Sequence, residues 1–166
     1  MSSIFLKLPV IGIPSWKWKR KLRRLAENDP SIITVPVVAD LCYETSRHFQ
    51  LLKYFDDHNT KYAETEYYKF NKENEKDKKY IAKKILGFKN LYISIKGDGY
   101  KNITYPILTD DGCRLDGSHR LSILVHLGIE SVDLNIVRYE DFFSKEKSAS
   151  IRQNVIGYRK KVYNLS

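Results

Sequence analysis

One short stretch of this 166-residue chain combines the residue types that hold phosphate groups. It reads Asp-Gly-Ser-His-Arg at positions 116–120, between a run that predicts a strand and a run that predicts a helix. The first turn of a helix exposes backbone N–H groups without intrahelical acceptors, and the helix dipole makes that end positive. A strand-to-helix turn of this composition therefore predicts a phosphate-binding site.

Each side chain of this turn has an expected role. Gly117 lets the backbone approach a ligand closely, and Ser118 caps the helix or donates to a phosphate oxygen. His119 and Arg120 add donors and positive charge, and a guanidinium matches the geometry of phosphate. Asp116 would bind a magnesium ion or accept the proton of a hydroxyl group. The same five residues also fit an ordinary turn and helix cap, with Arg120 paired to Asp116.

The elements on either side must hold this turn in place. β-branched residues predict a strand over 31–38, in which Pro36 indicates either an edge strand or a break. A hairpin of 105–109 and 113–115 is predicted around an Asp-Asp-Gly turn. A helix over 118–127 ended by Gly128 and a closing strand over 131–137 follow. Alternating strand and helix patterns of this kind predict an α/β fold.

The middle of the chain has helical patterning. A helix is expected over 39–57, a short helical piece over 64–70, and a solvated helix face over the charged run 72–79, with Tyr80, Ile81, Ile85 and Leu86 as its apolar stripe. A short apolar run over 91–95 follows, and Gly97, Asp98 and Gly99 then predict a loop. This helical part would lie beside the sheet that carries the turn.

The order of motifs over 91–137 resembles the ParB/sulfiredoxin-like superfamily. Ser94-Ile95 precedes a glycine-bearing loop, Pro106-Ile107 opens the hairpin, the 116–120 turn leads into a helix that ends in Leu127-Gly128, and a strand closes the unit. The resemblance implies one α/β domain with a small mixed sheet over 31–140, with a helical insertion at about 43–90. A basic N-terminal arm (1–30), separable from the phosphate site, and a C-terminal basic tail (141–166) would flank it.

The composition of the turn distinguishes between branches of that superfamily. Sulfiredoxins carry a catalytic cysteine where Ser118 stands, so sulfinic-acid reductase chemistry is not expected. The turn is most similar to the Asp-Gly-His-His-Arg motif of the free-serine kinases, with Ser118 in place of the first histidine. This resemblance implies nucleotide-dependent phosphotransfer onto a small hydroxylated acceptor such as an amino acid or a sugar, with Mg²⁺ and a nucleoside triphosphate or diphosphate, ATP first and ADP as the alternative.

Residues outside the turn complete the expected site. The resemblance implies an acidic residue from the N-terminal part that acts as the catalytic base, for which Glu44 is the candidate, although a surface glutamate is the alternative. Lys96 lies in the predicted glycine-bearing loop, which runs near the nucleotide in this superfamily. His48 falls on an apolar helix stripe, which favours a packed core histidine. The aromatic residues at 67–68 fit either stacking on a ligand or core packing.

The net charge of +9 favours a polyanionic partner, and six of these charges lie in Trp16–Arg24. This segment is expected to be a flap docked on the domain, a contact for nucleic acid, or a contact for an anionic membrane surface. Two further functions therefore stay open: a ParB-type nucleic-acid-binding or nuclease-like module, and a nucleotide-sensing interaction protein.

The N-terminal stretch and the cysteine content bear on the cellular location of the protein. The N-terminal apolar stretch is interrupted by Lys7, Pro9 and Pro14, which does not match a secretory signal. Cys42 and Cys113 do not suffice for a disulfide framework or a zinc cluster. A cytoplasmic protein is expected, either free in solution or peripheral to a membrane.

Overall fold

A mixed sheet lies at the centre of this computed structural model, which describes residues 11–12, 16–37, 46–57, 61–74, 76–100 and 104–163. Within these ranges the sheet has five strands: β1 (Ile11–Gly12), β2 (Ile32–Pro36), β3 (Ile107–Thr109), β4 (Cys113–Asp116) and β5 (Ser131–Val137). Their spatial order is β1-β4-β3-β5-β2. The chain is a small single-domain α/β protein, as the sequence predicts.

Helices cover both faces of this sheet. The described ranges contain α1 (Trp16–Asn28), α2 (Ser46–Asp57), α3 (Glu66–Glu73), α4 (Lys78–Asp98), α5 (Ser118–His126) and α6 (Lys145–Tyr163). None of these helices combines the length and the apolar character needed to cross a bilayer. The expected helix over 39–57 is present from Ser46, and 39–45 lie outside the described residues.

The hairpin and the closing strand form where the sequence predicts them. β3 and β4 are antiparallel, and Gly112 adopts a φ of 83° in the turn between them. β5 runs parallel to β3 after the α5 crossover, and β2 pairs antiparallel with β5 at the sheet edge. The edge position suits Pro36, because proline cannot donate to a second neighbouring strand.

Two apolar clusters pack against the sheet. Ile107 and Leu108 belong to different clusters, since successive strand residues point to opposite faces. The larger cluster takes its buried side chains chiefly from α2, α4 and α5 and from β5, among them Leu51, Leu52, Phe88, Leu121, Leu124, Val132 and Leu134. The smaller one comprises Leu22, Ala26, Ile107, Cys113, Leu115, Val137, Tyr139, Ile151 and Val155.

The loop expected at 97–99 is part of a helix instead. α4 continues to Asp98, and only Gly99, with a φ of 75°, ends it. Its buried stripe is Ile81, Ile85, Phe88, Tyr92 and Ile95, at steps of three and four residues. That stripe continues through the run 91–95, and its burial stabilises the helix by more than Gly97 destabilises it. Tyr80 and Leu86, expected on the stripe, are exposed.

The charged run 72–79 was also expected to be a helix face, and it instead spans the junction of two helices. Asn74 follows the end of α3, and the Asp77 side chain caps α4 by accepting from the Tyr80 backbone N–H at 2.7 Å. Polar caps of this kind satisfy the backbone groups that helix ends leave free. The run therefore separates α3 from α4.

Residues 16–28 pack against the domain, in agreement with the docked flap that was one of the three expectations for the basic segment. Leu22 and Ala26 are buried in the smaller cluster, and the Asn135 side chain donates to the Ala26 carbonyl at 2.8 Å. The C-terminal segment packs in the same cluster, because α6 contributes Ile151 and Val155. Deleting α1 would therefore remove part of the core.

We predict that Leu22→Ala lowers the free energy of unfolding by about 2–5 kcal/mol, because it leaves a cavity in the smaller cluster. Urea denaturation measures the change. Arg24→Ala, at an exposed position of the same helix, should change stability by no more than about 0.5 kcal/mol. Equal stability of the two variants would contradict the docked position of α1.

Candidate phosphate-binding site

Gly117 forms the turn between β4 and α5. Its φ of 92° lies in the left-handed region, and a Cβ at this position would stand 2.5 Å from Pro106 Cβ. Only glycine fits both constraints. The first helical hydrogen bond runs from Leu121 N–H to the Gly117 carbonyl at 2.9 Å, and Gly117 has no side chain to cap the helix. The first-turn N–H groups are therefore placed as the phosphate-binding prediction requires.

Arg120 is half-buried in the first turn of α5. Its Nη1 atom is buried and has no hydrogen-bond partner among the described residues. The Tyr100 hydroxyl oxygen is likewise buried and has no hydrogen-bond partner among the described residues. Burial raises the pKa of Tyr100, and the Arg120 charge partly offsets this rise. Buried polar atoms are nearly always satisfied, so Arg120 Nη1 and the Tyr100 hydroxyl each require a partner from outside the described residues, such as a ligand or a water molecule.

His119 packs in an aromatic cluster. Its ring stacks on Phe88 with centroids 4.4 Å apart, and the His48 ring meets it edge-on at 4.9 Å. The Tyr67 hydroxyl lies 3.4 Å from His119 Nε2. His48 itself is buried, as its place on an apolar stripe predicts. The cluster fixes the orientation of the His119 ring at the start of α5.

His119 does not carry the positive charge expected of it. Burial lowers its pKa to about 4, and the nearby charge of Lys84 adds to this effect, while Asp116 opposes it. Burial disfavours the charged form of an imidazole, and neighbouring cations do the same. His119 is therefore neutral at pH 7 and acts as a hydrogen-bonding group.

Asp116 pairs with α1, and the alternative of a pair with Arg120 is not found. Its Oδ2 atom lies 3.6 Å from Arg23 Nη2, and Arg23 also contacts Glu27 at 2.9 Å. The Asp116 side chain is about one-third exposed. The contact places the basic helix α1 directly beside the turn.

Positive charge surrounds the start of α5. Lys84, Arg114 and Arg120 all lower the pKa of His119, and Arg23 reaches Asp116 from the other side. Asp116 is the acid that acts on His119 in the opposite direction. Arg23 is shared between Glu27 and Asp116, whereas Lys84, Arg114 and Arg120 add an excess of positive charge at a helix N-terminus, which favours an anion.

Lys96 is not part of this arrangement. It lies in the last turn of α4, and its Nζ contacts Asp56 Oδ1 at 2.8 Å. Asp56 also binds His126 Nε2 at 2.7 Å, at the C-terminal end of α5. The hydrogen bond from Lys96 holds the pKa of Asp56 well below its usual range. Lys96 therefore lies in a helix and not in the expected loop, at the end of α5 opposite the turn, and its phosphate contact stays a prediction.

Five of the other predicted site residues lie together, and one lies outside the described residues. Asp116, Gly117, Ser118, His119 and Arg120 come together in one turn, whereas Glu44 lies outside the described residues. Sequence reasoning missed Arg23, Lys84 and Arg114 as neighbours of the turn. The basic composition of α1 was a visible signal for Arg23, but its contact with Asp116 depends on the docking of α1.

The described residues do not form a metal site of their own. No group of three or more His, Cys, Asp or Glu side chains that could hold a metal ion occurs in the described part of the chain. Asp116, the predicted magnesium ligand, is engaged by a guanidinium. A magnesium ion that is bound together with nucleotide phosphates needs only one or two protein carboxylates, so the Mg²⁺ expected with the nucleotide stays a prediction.

Searches against protein-family models, curated proteins and solved structures gave no match to this chain.

We predict that His119 titrates near pH 4, as followed by NMR of its ring protons between pH 3 and pH 8. Because the unfolded chain would bind this proton near pH 6.5, His119 should cost up to about 3 kcal/mol of stability as the pH falls from 6.5 to 4. The His119→Gln variant should lose that part of the pH dependence. A midpoint near 6.5 would contradict the buried, cation-rich setting.

Proposed function

We propose that the start of α5 binds a nucleotide phosphate and that the protein is a nucleotide-dependent phosphotransferase acting on a small hydroxylated acceptor. The observation that carries this proposal is the unsatisfied Nη1 of Arg120 beside a helix N-terminus with no side-chain cap. A phosphate would accept from the first-turn N–H groups and from Arg120 together.

The surrounding charges suit phosphoryl transfer. Arg114 and Lys84 lie close enough to influence His119, and they would offset the negative charge of the phosphate chain. Catalysis of phosphoryl transfer rests mainly on positioning and on charge stabilisation, so preorganised cations are the main requirement. ATP is the expected donor, and the identity of the acceptor is left to experiment.

The reacting groups would be arranged around Asp116. The acceptor oxygen would attack the terminal phosphorus, the bond from that phosphorus to the leaving phosphate would break, and the hydroxyl proton would pass to the Asp116 carboxylate. Arg23 would hold that carboxylate in place. Neutral His119, held by Tyr67 and Phe88, would donate to a phosphoryl oxygen without adding charge.

The resemblance to the ParB/sulfiredoxin-like superfamily supports the same proposal. β3, β4, α5 and β5 follow one another with the Pro106–Gly117 contact at the turn, which is the order that the motifs predict. We propose from this order that the finer fold is that of the superfamily, with the free-serine kinases as the most similar branch. Ser94-Ile95 and Gly97, which the resemblance places at a glycine-bearing loop, lie instead in α4.

A second candidate is nucleic-acid binding, because α1 lies beside the turn. Its exposed side chains include Arg20, Lys21, Arg23 and Arg24. Together with the start of α5 they would contact several backbone phosphates in a row, with a strong salt dependence. This module would bind duplex or single strands without transferring phosphate.

We predict that Arg120→Ala weakens nucleotide binding by about 1.5–3 kcal/mol, roughly 10- to 100-fold, because it removes charge-assisted hydrogen bonds. Isothermal titration with ATP and MgCl₂ measures the loss. Lys53→Ala, which removes a positive charge from an exposed position of α2, is the control and should bind normally. Unchanged affinity in a folded Arg120→Ala protein would refute the proposed site.

The nucleic-acid candidate makes a different prediction. The double variant Arg20→Ala/Arg24→Ala should flatten the salt dependence of duplex binding by about two in the log–log slope, because two phosphate contacts are lost. Its ATP affinity should match that of the unmodified protein. Fluorescence anisotropy over a salt series measures the slope, and a wild-type protein that does not bind duplex would eliminate this candidate.

A further inference from the structure

The outward face of α4 exposes two large apolar side chains. Leu86 is 58% exposed and Ile93 is 55% exposed, the highest values among the exposed large hydrophobic residues of the described chain. They are seven residues apart, which places them on one face two turns apart. Burying such side chains is favourable, so this pair is a candidate contact surface.

This face is distinct from the one that α4 buries. Its inner stripe, from Ile81 to Ile95, packs in the larger cluster. On the outward face, a Cβ built on Gly97 would meet nothing within 4 Å. Gly97 follows Ile93 by one turn, so a partner backbone has room to approach there. We call Leu86, Ile93 and Gly97 the outer stripe.

Lysines flank the outer stripe. α4 contains six of them, Lys78, Lys79, Lys83, Lys84, Lys89 and Lys96, and its only acid is Asp98. By helical spacing, Lys83 lies three residues before Leu86 on one side of the stripe, and half-buried Lys89 lies three residues after it on the other side. Lys79, seven residues before Leu86, extends the line of the stripe itself. An apolar seam between rows of like charge specifies its partner by charge complementarity.

We propose that the outer stripe of α4 binds an acidic amphipathic helix of a partner protein. Apolar side chains of that helix, at seven-residue spacing, would pack on Leu86 and Ile93. Carboxylates at its flanking positions would face Lys83 and Lys89. The proposal is independent of the phosphate site at the start of α5.

The lysines and the narrow width of the outer stripe disfavour a second copy of this chain and a membrane as its partner. A second copy of this chain would bring one lysine-rich helix against another, and like charges at such positions repel. A helix that rests on a membrane buries a wide apolar face. The outer stripe has only two large apolar side chains, and Asn90 lies between them on the same face. An apolar strip this narrow is typical of a helix–helix contact.

The test uses a designed probe and the full chain. The probe is a synthetic helical peptide with leucine at heptad positions a and d and glutamate at e and g, and its counterpart has lysine at e and g. We expect the glutamate peptide to bind the protein, and Leu86→Ser/Ile93→Ser to weaken this binding roughly tenfold or more. Ile156→Ser, a change at an exposed position of α6, is the matched control and should bind normally. Circular dichroism and urea denaturation confirm that each variant folds.

Three results would overturn the proposal. The first is equal binding of the glutamate peptide to the double variant, or no binding to the unmodified protein. The second is equal binding of the lysine peptide, which would remove the role of charge. The third is loss, in the double variant, of self-association seen by sedimentation or of binding to phosphatidylcholine–phosphatidylserine vesicles, which would assign the stripe to a second copy or to a membrane.

Discussion

The close packing of Pro106 against Gly117 decides where α5 leaves the sheet. No side chain fits at position 117, because a Cβ would stand 2.5 Å from the proline and because the φ of 92° is a glycine conformation. With this contact in place, α5 starts directly after β4. Its first-turn N–H groups then lie beside the cations of neighbouring elements, and every role that we assign to Asp116, His119 and Arg120 depends on that position.

At the turn, one set of side chains provides the positive charge and another provides a neutral hydrogen-bonding group. The guanidinium and ammonium groups provide the positive charge, while His119, held between Phe88 and Tyr67, stays neutral with a pKa of about 4. A neutral imidazole among cations can donate to a phosphoryl oxygen or accept from a hydroxyl without increasing the mutual repulsion of those cations. The Arg23–Asp116 contact adds a structural link, because it joins the smaller core cluster, through α1, to the site.

Local signals in the sequence predict much of this arrangement. The glycines at 112, 117 and 128 have positive φ, and β5 spans the residues that alternation predicts. The sequence does not reveal α4 beyond residue 90, because only its buried stripe shows that the helix continues through Gly97. Nor does it reveal that Leu22 is core or that Lys84 lies near His119, since both follow from packing between elements distant in the chain. The sequence also does not reveal that Lys96 lies near the C-terminal end of α5, where Lys96 and His126 both contact Asp56.

The most direct test of the account is an NMR titration that follows the backbone amides of Ser118, His119 and Arg120 as ATP is added. If the start of α5 holds a phosphate, these three amides should show the largest shifts, move downfield as they donate to the phosphate, and saturate together. Adenosine, which lacks the phosphates, should leave them unmoved. Shifts that are concentrated elsewhere in the protein, or equal responses to ATP and adenosine, would contradict a phosphate site at this turn.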